Sequence, residues 1–322
     1  MALSLSVGVE VVGDGLGGGD AANRPARGIA GLAHRLESAG VAYWVIGAER
    51  GESVGRSTNS LDPSLVATIA ARHSTHLGIV VAGAGHRDHP YNLARRLVSV
   101  DHAAHGRVGW LALDYDHGLA LNAATDTWTG AVLDATHTAD AIAAVRTLWR
   151  TWPLESIVGD LETGVFADVT RIRRADIRRC YAISGPLNVP GSSQGDLPVW
   201  QQAALGNETA TGEADLVIVE DGEPIPGTAQ AVVRLRSVAA IDSALDRLAR
   251  TAGVVGVSLR LAPDDVDSVL DRALPTARQR GVIDGPGENT LRDRLRLPVR
   301  AEPDLSAHAV AFDTVPNPGG RL

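Results

Sequence analysis

The sequence predicts an α/β fold, eight parallel strands closed into a (β/α)8 barrel, and three observations predict it. Short runs rich in Val, Ile and Leu alternate with amphipathic stretches, the pattern of βα units that feed a parallel sheet. Eight such runs can be counted along the 322 residues. All but the last few are closely linked by helices, and one long segment interrupts the series between the fourth and fifth runs.

The elements follow in order. Leu3 to Val12 reads as the first strand, and Arg27 to Ser38 as a helix with Ile29, Leu32, Ala33 and Leu36 at helical spacing and Gly40 as its stop. Val41 to Gly47 is the second strand. Asp62-Pro63 is an N-cap with proline at the first helical position, and its helix runs to about His73. Leu77 to Ala82 is the third strand, Pro90 to Ala104 the third helix and Val108 to Leu113 the fourth strand. Ala139 to Trp152 is the one helix expected before the fifth strand, Pro198 to Gln202. Leu216 to Glu220 and Ala231 to Arg236 follow as strands, then a helix Ile241 to Thr251, the eighth strand Val254 to Leu261 and a closing helix Asp264 to Arg280. A long structureless segment sits badly inside a compact domain unless it is functional. The interval 118–197 is therefore expected to be an insertion and connection at the barrel mouth, within one domain spanning 1–322.

Composition narrows the function. The hydrophobic share is 44% and the charged share 21%, enough for a buried core. A net charge of −8 opposes nucleic-acid binding. No apolar run approaches the roughly 20 residues that span a bilayer, so no membrane partner is expected. The opening residues lack a basic region, which predicts no signal peptide and a cytoplasmic protein. The chain has no lysine, which excludes a lysine Schiff base and a P-loop. Its single cysteine, Cys180, excludes a disulfide framework or a multi-cysteine metal site and reads as structural.

Three segments then stand out. The first is Pro90-Tyr-Asn-Leu-Ala-Arg-Arg, continuing through Val100-Asp-His102 and Gly106-Arg107 to Gly109-Trp110. The second joins Leu148-Trp-Arg-Thr-Trp152, Gly164-Val-Phe-Ala-Asp168, Gly185-Pro-Leu-Asn-Val-Pro190 and Gln194-Gly195. The third is Leu274-Pro275, Arg278-Gln-Arg-Gly281 and Thr290-Leu-Arg-Asp-Arg-Leu295. In this order they resemble the bacterial-luciferase-like flavin monooxygenases, in the branch that includes nitrilotriacetate monooxygenase. The resemblance implies a barrel with its site at the C-terminal strand ends, where reduced FMN from a separate flavin reductase reacts with oxygen and attacks a small organic substrate. It also implies a homodimer. By position it points to Ala84, Trp110, Asp114 and Gly206 as cofactor neighbours, with His86 as the catalytic candidate and Arg107 as a further pocket neighbour.

The departures from that family cluster at the catalytic face. Ala84-Gly-His86 stands where small hydroxyl residues approach the flavin. Trp110 is followed by Leu111 instead of an asparagine, and Asp114-Tyr115 replaces a Thr-Ser pair. Ala48, with Glu49 next to it, stands where an acidic residue is expected. After the fifth strand a Gly-Ser-rich turn and helix should hold the phosphate, yet Ala203 to Asp215 has no serine and little room for a helix. Glu208 even places a carboxylate there. Framework motifs persist while cofactor contacts do not. The alternative function is thus a diverged, non-catalytic barrel that binds flavin weakly or not at all and acts as a subunit or ligand-binding protein.

Other patterns remain open. Gly13-Asp-Gly-Leu-Gly-Gly18 matches a dinucleotide fingerprint, but Asn23-Arg-Pro25 delays the helix that should begin within it, so a first βα loop is expected. His86-Arg-Asp88-His89 and Asp114-Tyr-Asp116-His117 end neighbouring strands and can converge. They read as solvated loops, as a His–Asp acid–base pair, or as nitrogen and oxygen metal ligands. His102 and His105 read as structural residues near the barrel bottom, and Trp149 and Trp152 as packing for the insertion. Arg171, Arg173, Arg174, Arg178 and Arg179 form a basic run, read as a solvated loop or as a surface for an anionic group.

Overall fold

Hydrophobic runs of this length must bury both faces, and the computed structural model shows how they do so. It describes residues 4–15, 24–52, 61–118, 124–203, 212–227, 230–239, 241–285, 287, 289–301 and 304–312. The first four strands are β1 (Ser6–Val11), β2 (Tyr43–Ile46), β3 (Gly78–Gly83) and β4 (Val108–Ala112). They are followed or linked by α1 (Pro25–Ser38), α2 (Pro63–Arg72) and α3 (Pro90–Ala103). The chain then leaves the sheet for α4 (Ala135–Arg150) and two antiparallel pairs: β5 (Ile157–Asp160) with β6 (Val165–Ala167), and β7 (Asp176–Arg178) with β8 (Ala182–Ser184). It returns with β9 (Val199–Gln202), β10 (Leu216–Glu220), β11 (Ala231–Leu235) and β12 (Val254–Leu261). The closed order is β1-β12-β11-β10-β9-β4-β3-β2, and β1 pairs with β2 to complete the cylinder. Every barrel pairing is parallel.

The helices of the outer ring follow from local signals. Asp62 caps α2 by accepting from the Ser64 N–H at 2.9 Å, with Pro63 at the first helical position. Helix α4 begins at Ala135, four residues before the sequence periodicity suggests, because the Asp134 carboxylate accepts from the His137 N–H at 2.8 Å. The later helices are α5 (Ile241–Leu248) and a helical stretch from Val266 to Gln279, in which Val269–Ala273 forms a π turn. Among the described residues no helix separates β9 from β10, or β10 from β11. The outer ring is incomplete on that side.

Alternation along each strand sorts the side chains into two cores. Trp44, Ile79, Val81 and Trp110 face the helix layer, whereas Tyr43, Val80, Leu111, Trp200, Ile218 and Val232 fill the bore. Two rings occupy its lower half, Tyr43 and Trp200, with centroids 5.3 Å apart. They fit only because Gly8 and Gly109 face them. A Cβ on Gly8 would sit 2.1 Å from the Tyr43 ring, and one on Gly109 would sit 2.4 Å from Trp200. The last helix, α6 (Leu291–Arg294), sends Leu291 into the bottom of the bore, joined by Leu295 and Leu297. The barrel is packed rather than hollow.

Candidate active site at the barrel mouth

Above Tyr43 the bore turns from apolar to charged. Glu10 and Arg234, each 4% or less exposed, pair at 2.9 Å, and Ser258 Oγ donates to the same Glu10 oxygen at 2.7 Å. Arg234 also reaches Glu220 at 3.2 Å. Arg260 donates to Glu52 at 2.6 Å, and Arg236 bonds both Glu52 and Glu220. These side chains come from the C-terminal halves of β1, β10, β11 and β12 and from the loop after β2. They span the mouth as one ion network.

The loops after β2, β3 and β4 are tied together beside it. Asp116, 1% exposed, accepts from Arg50 Nε at 3.1 Å and from Arg87 Nη1 at 2.9 Å, and its own N–H donates to His86 Nε2 at 2.9 Å. The His86 ring stacks on Tyr115, which in turn contacts His117. Burial pushes the His86 imidazole below its ordinary value against the opposing pull of Asp116 and Asp126, which matches an Nε2 that acts as acceptor. The two strand-end runs do converge, as the sequence allows. They converge on an Arg–Asp–His network whose hydrogen bonds are met inside the protein, and among the described residues no group of His, Cys, Asp and Glu has the arrangement of a metal site.

A cavity of about 110 Å³ lies at the mouth, lined by Ala48, Glu52, Leu111, Asp114, Tyr115, Gln202 and Arg234 among others. Asp114 brings an open group to it. Its Oδ1 is buried without a partner, and burial raises its carboxyl above the ordinary range while Thr138 and Gln201 pull it back. Glu49, next to Ala48, is raised by burial as well and has a buried Oε1 without a partner. The site thus offers a protonatable carboxyl beside anchored guanidinium groups, suited to a small hydrogen-bonding molecule.

The other residues singled out by sequence are placed as follows. Ala84, 1% exposed, packs in the upper bore near the cavity. Trp110 turns outward: strand alternation points it at the helix layer, and its Nε1 donates to Gly83 O at 3.0 Å, away from the cavity. Arg107 is at the opposite end of the barrel, because it precedes β4; it donates to Leu77 O at 2.5 Å and Ser74 O at 2.9 Å. Gly206 and Glu208 lie outside the described residues.

Sequence reasoning missed a buried triad. Tyr181 OH donates to Asp126 Oδ2 at 2.6 Å, and His137 Nε2 meets the same oxygen at 2.8 Å. All three are 5% exposed or less. The edge of the His89 ring contacts Tyr181 and the half-exposed Trp128. The only available signal was the Asp134 cap that places His137 in the first turn of α4. With all polar atoms turned on one another, the triad holds the inserted segment against α4.

The motifs behind the family resemblance are ties at the lower barrel. The Asp101 carboxylate accepts from Val108 N at 2.9 Å, Ser192 Oγ at 2.5 Å and Gln194 Nε2 at 2.8 Å. Gln194 Oε1 accepts from Arg292 N, and the Arg292 guanidinium reaches Asp215 at 3.1 Å. Tyr91 OH donates to Pro186 O, His102 meets Pro190 O, and Trp149 Nε1 donates to Ala94 O.

This architecture and the position of its mouth define a TIM-barrel protein built on the luciferase-like plan, and comparison with known proteins agrees. No family model matches the chain. One of the chains of pristinamycin IIA synthase, a multi-subunit protein of Streptomyces pristinaespiralis, is 29% identical over 248 residues, 77% of this chain and 79% of that one. Dibenzothiophene-sulfone monooxygenase from Rhodococcus erythropolis is 31% identical over 158 residues, 47% of this chain and 34% of the enzyme, so the match spans about a third of that longer protein. Among solved structures, long-chain alkane monooxygenase (LadA) has a TM-score of 0.72 at 14% identity, covering 92% of this chain and 96% of the other. Riboflavin lyase (RcaE), solved with a modified FMN and riboflavin, has a TM-score of 0.67 at 18% identity over 91% of this chain and 95% of the other. The chain belongs to the luciferase-like monooxygenase family. No described helix is long and apolar enough to cross a membrane.

Proposed function

We propose that this chain is a barrel subunit of a luciferase-like flavin-dependent monooxygenase, and that a partner chain holds the flavin. One observation supports this above all. The mouth cavity measures about 110 Å³, whereas pockets for ligands of cofactor size run to about 300–1,000 Å³. The Glu10–Arg234 pair and the side chains of Leu111 and Ile218 occupy the depth that a three-ring system needs. The described residues therefore do not fit an isoalloxazine. The pristinamycin IIA synthase relative, of nearly equal length and matched along most of both chains, is named as one subunit of its synthase. A partnership with a second, flavin-holding barrel agrees with that name and replaces the homodimer expected from the family.

The test is a titration with FMN, oxidised and then reduced under anaerobic conditions, read by flavin fluorescence and absorbance. The expected result is no saturation below millimolar concentration. A Kd in the micromolar range, about −8 kcal/mol, would overturn the reading. It would favour the second one: that this chain itself oxidises a small organic substrate with oxygen and reduced FMN from a separate reductase. The open Asp114 oxygen at the cavity is the observation behind that second reading. Oxygen uptake with an added flavin reductase then measures it directly.

A further inference from the structure

A cavity larger than the one at the mouth opens at the other end of the barrel. Its volume is about 150 Å³, and it is lined by Ser4, Ser6, Gln230, Asp284, Arg294 and Arg296 among others. Ser4 and Ser6 stand where β1 begins, Gln230 immediately precedes β11, and the two arginines belong to the end of α6 and the turn that follows. The space is independent of the flavin question.

Its polar groups are unevenly matched. Asp284 is satisfied: it accepts from Ser4 Oγ, and Arg296 pairs with it at 3.2 Å. Arg294 is not. Its Nη1 donates to His76 O at 2.6 Å, but Nε and Nη2 are buried with no partner. Gln230 Oε1 is likewise buried with no partner. A buried donor left unmade costs about 1–3 kcal/mol, more when charged. Among the described residues no carboxylate forms an ion pair with Arg294, and Arg107 lies close enough to repel it. Burial and that repulsion push its guanidinium down to about 10. In an acidic protein this is a local excess of positive charge, facing two open donors and one open acceptor.

We propose that this cavity binds a small oxyanion that also carries a hydroxyl, of the hydrogen phosphate class. Two of its oxygens accept from Arg294 Nε and Nη2, the planar fork that suits phosphate geometry. Its O–H donates to Gln230 Oε1, and the hydroxyls of Ser4 and Ser6 line the remaining wall. The volume admits inorganic phosphate with waters at about 30 Å³ each and excludes a nucleotide. A phosphate group presented on a larger molecule has the same chemistry only if the rest of that molecule stays outside.

The test uses the purified full-length chain. Calorimetric and ³¹P NMR titrations with inorganic phosphate are run at fixed ionic strength, with sulfate as the oxyanion that has no proton to donate. A phosphate monoester, glycerol phosphate, is run alongside. One saturable phosphate per chain, with sulfate weaker, is the expected result, and a monoester that binds as well assigns the larger molecule as the source. Arg294→Gln is expected to weaken phosphate at least about tenfold. Gln230→Leu, which leaves every charge in place, should erase the preference for phosphate over sulfate. It decides the matter if Arg294→Gln does not fold. Absence of saturation up to tens of millimolar, or phosphate binding unchanged in both variants, overturns the proposal.

Discussion

Replacing Arg234 with methionine tests whether the mouth is held by its buried ion network. The guanidinium is 4% exposed and bonds Glu10 at 2.9 Å and Glu220 at 3.2 Å. Methionine fills much of the same volume but leaves the Glu10 carboxylate, 3% exposed, with only Ser258 Oγ at 2.7 Å and Arg260 at 3.8 Å. Removing one partner of a buried pair costs about 3–5 kcal/mol, and the remaining Ser258 and Arg260 contacts favour the lower end. An unfolding entropy of about 2.1 cal/mol/K per residue then corresponds to a fall in Tm of about 4–7 °C for 322 residues. Scanning calorimetry reads it. The double variant Glu10→Gln with Arg234→Met removes the stranded charge and should recover most of the loss. A single variant that loses less than about 1 kcal/mol, or a double variant no better than the single, would refute the claim that the pair is buried and coupled.

Two further outcomes follow from the same geometry. Asp101→Leu strands the Val108 amide, the Ser192 hydroxyl and the Gln194 amide, so urea unfolding should show a loss of about 3 kcal/mol; a loss within about 0.5 kcal/mol would show that Asp101 is not the hub described. His86 has a folded-state value below that of a free imidazole, so the unfolded chain takes up the proton first. Stability is then complete above about pH 6.5 and declines as the pH falls toward the folded value. His89 acts in the same direction. Urea midpoints between neutral and mildly acid pH should fall, and less steeply in His86→Gln; an equal slope in the two proteins would remove His86 from the network.

The barrel was legible in the sequence because strands buried on both faces are read from composition alone. Leu216–Glu220 and Val254–Leu261 form strands over the residues their β-branched runs mark, and Asp62-Pro63 starts a helix because cap chemistry is local. The site was less legible for a physical reason. Trp110 and Leu111 are adjacent, and alternation gives the mouth to Leu111 and the helix layer to Trp110. Arg107 is three residues from Trp110, yet a strand's start and end lie at opposite ends of a barrel. The Tyr181–Asp126 contact spans 55 residues and leaves no periodic trace. Nor do the charges of Glu10 and Arg234, which lie 224 residues apart and meet only once the sheet closes.

The same contrast explains how a chain can keep a family's signature while its mouth changes. The motifs that identify it, Val100-Asp-His102, Gly185-Pro-Leu-Asn-Val-Pro190, Gln194-Gly195 and Leu291-Arg292, bond one another through Asp101, Gln194 and Arg292 around the lower barrel. They fix how α3, the inserted segment and the C-terminal helix dock, and every one of those bonds can stay in place whatever stands at the strand tips. The tips answer to a different constraint, which is what must fit above Leu111 and Ile218. Here that space is crossed by the ion network of Glu10, Glu52, Glu220, Arg234, Arg236 and Arg260. A barrel that admitted a flavin at the same place would have to leave those carboxylates and guanidiniums unpaired or remove them. The surviving framework therefore argues for common ancestry and a common docking plan, and the filled mouth argues for a division of labour between chains.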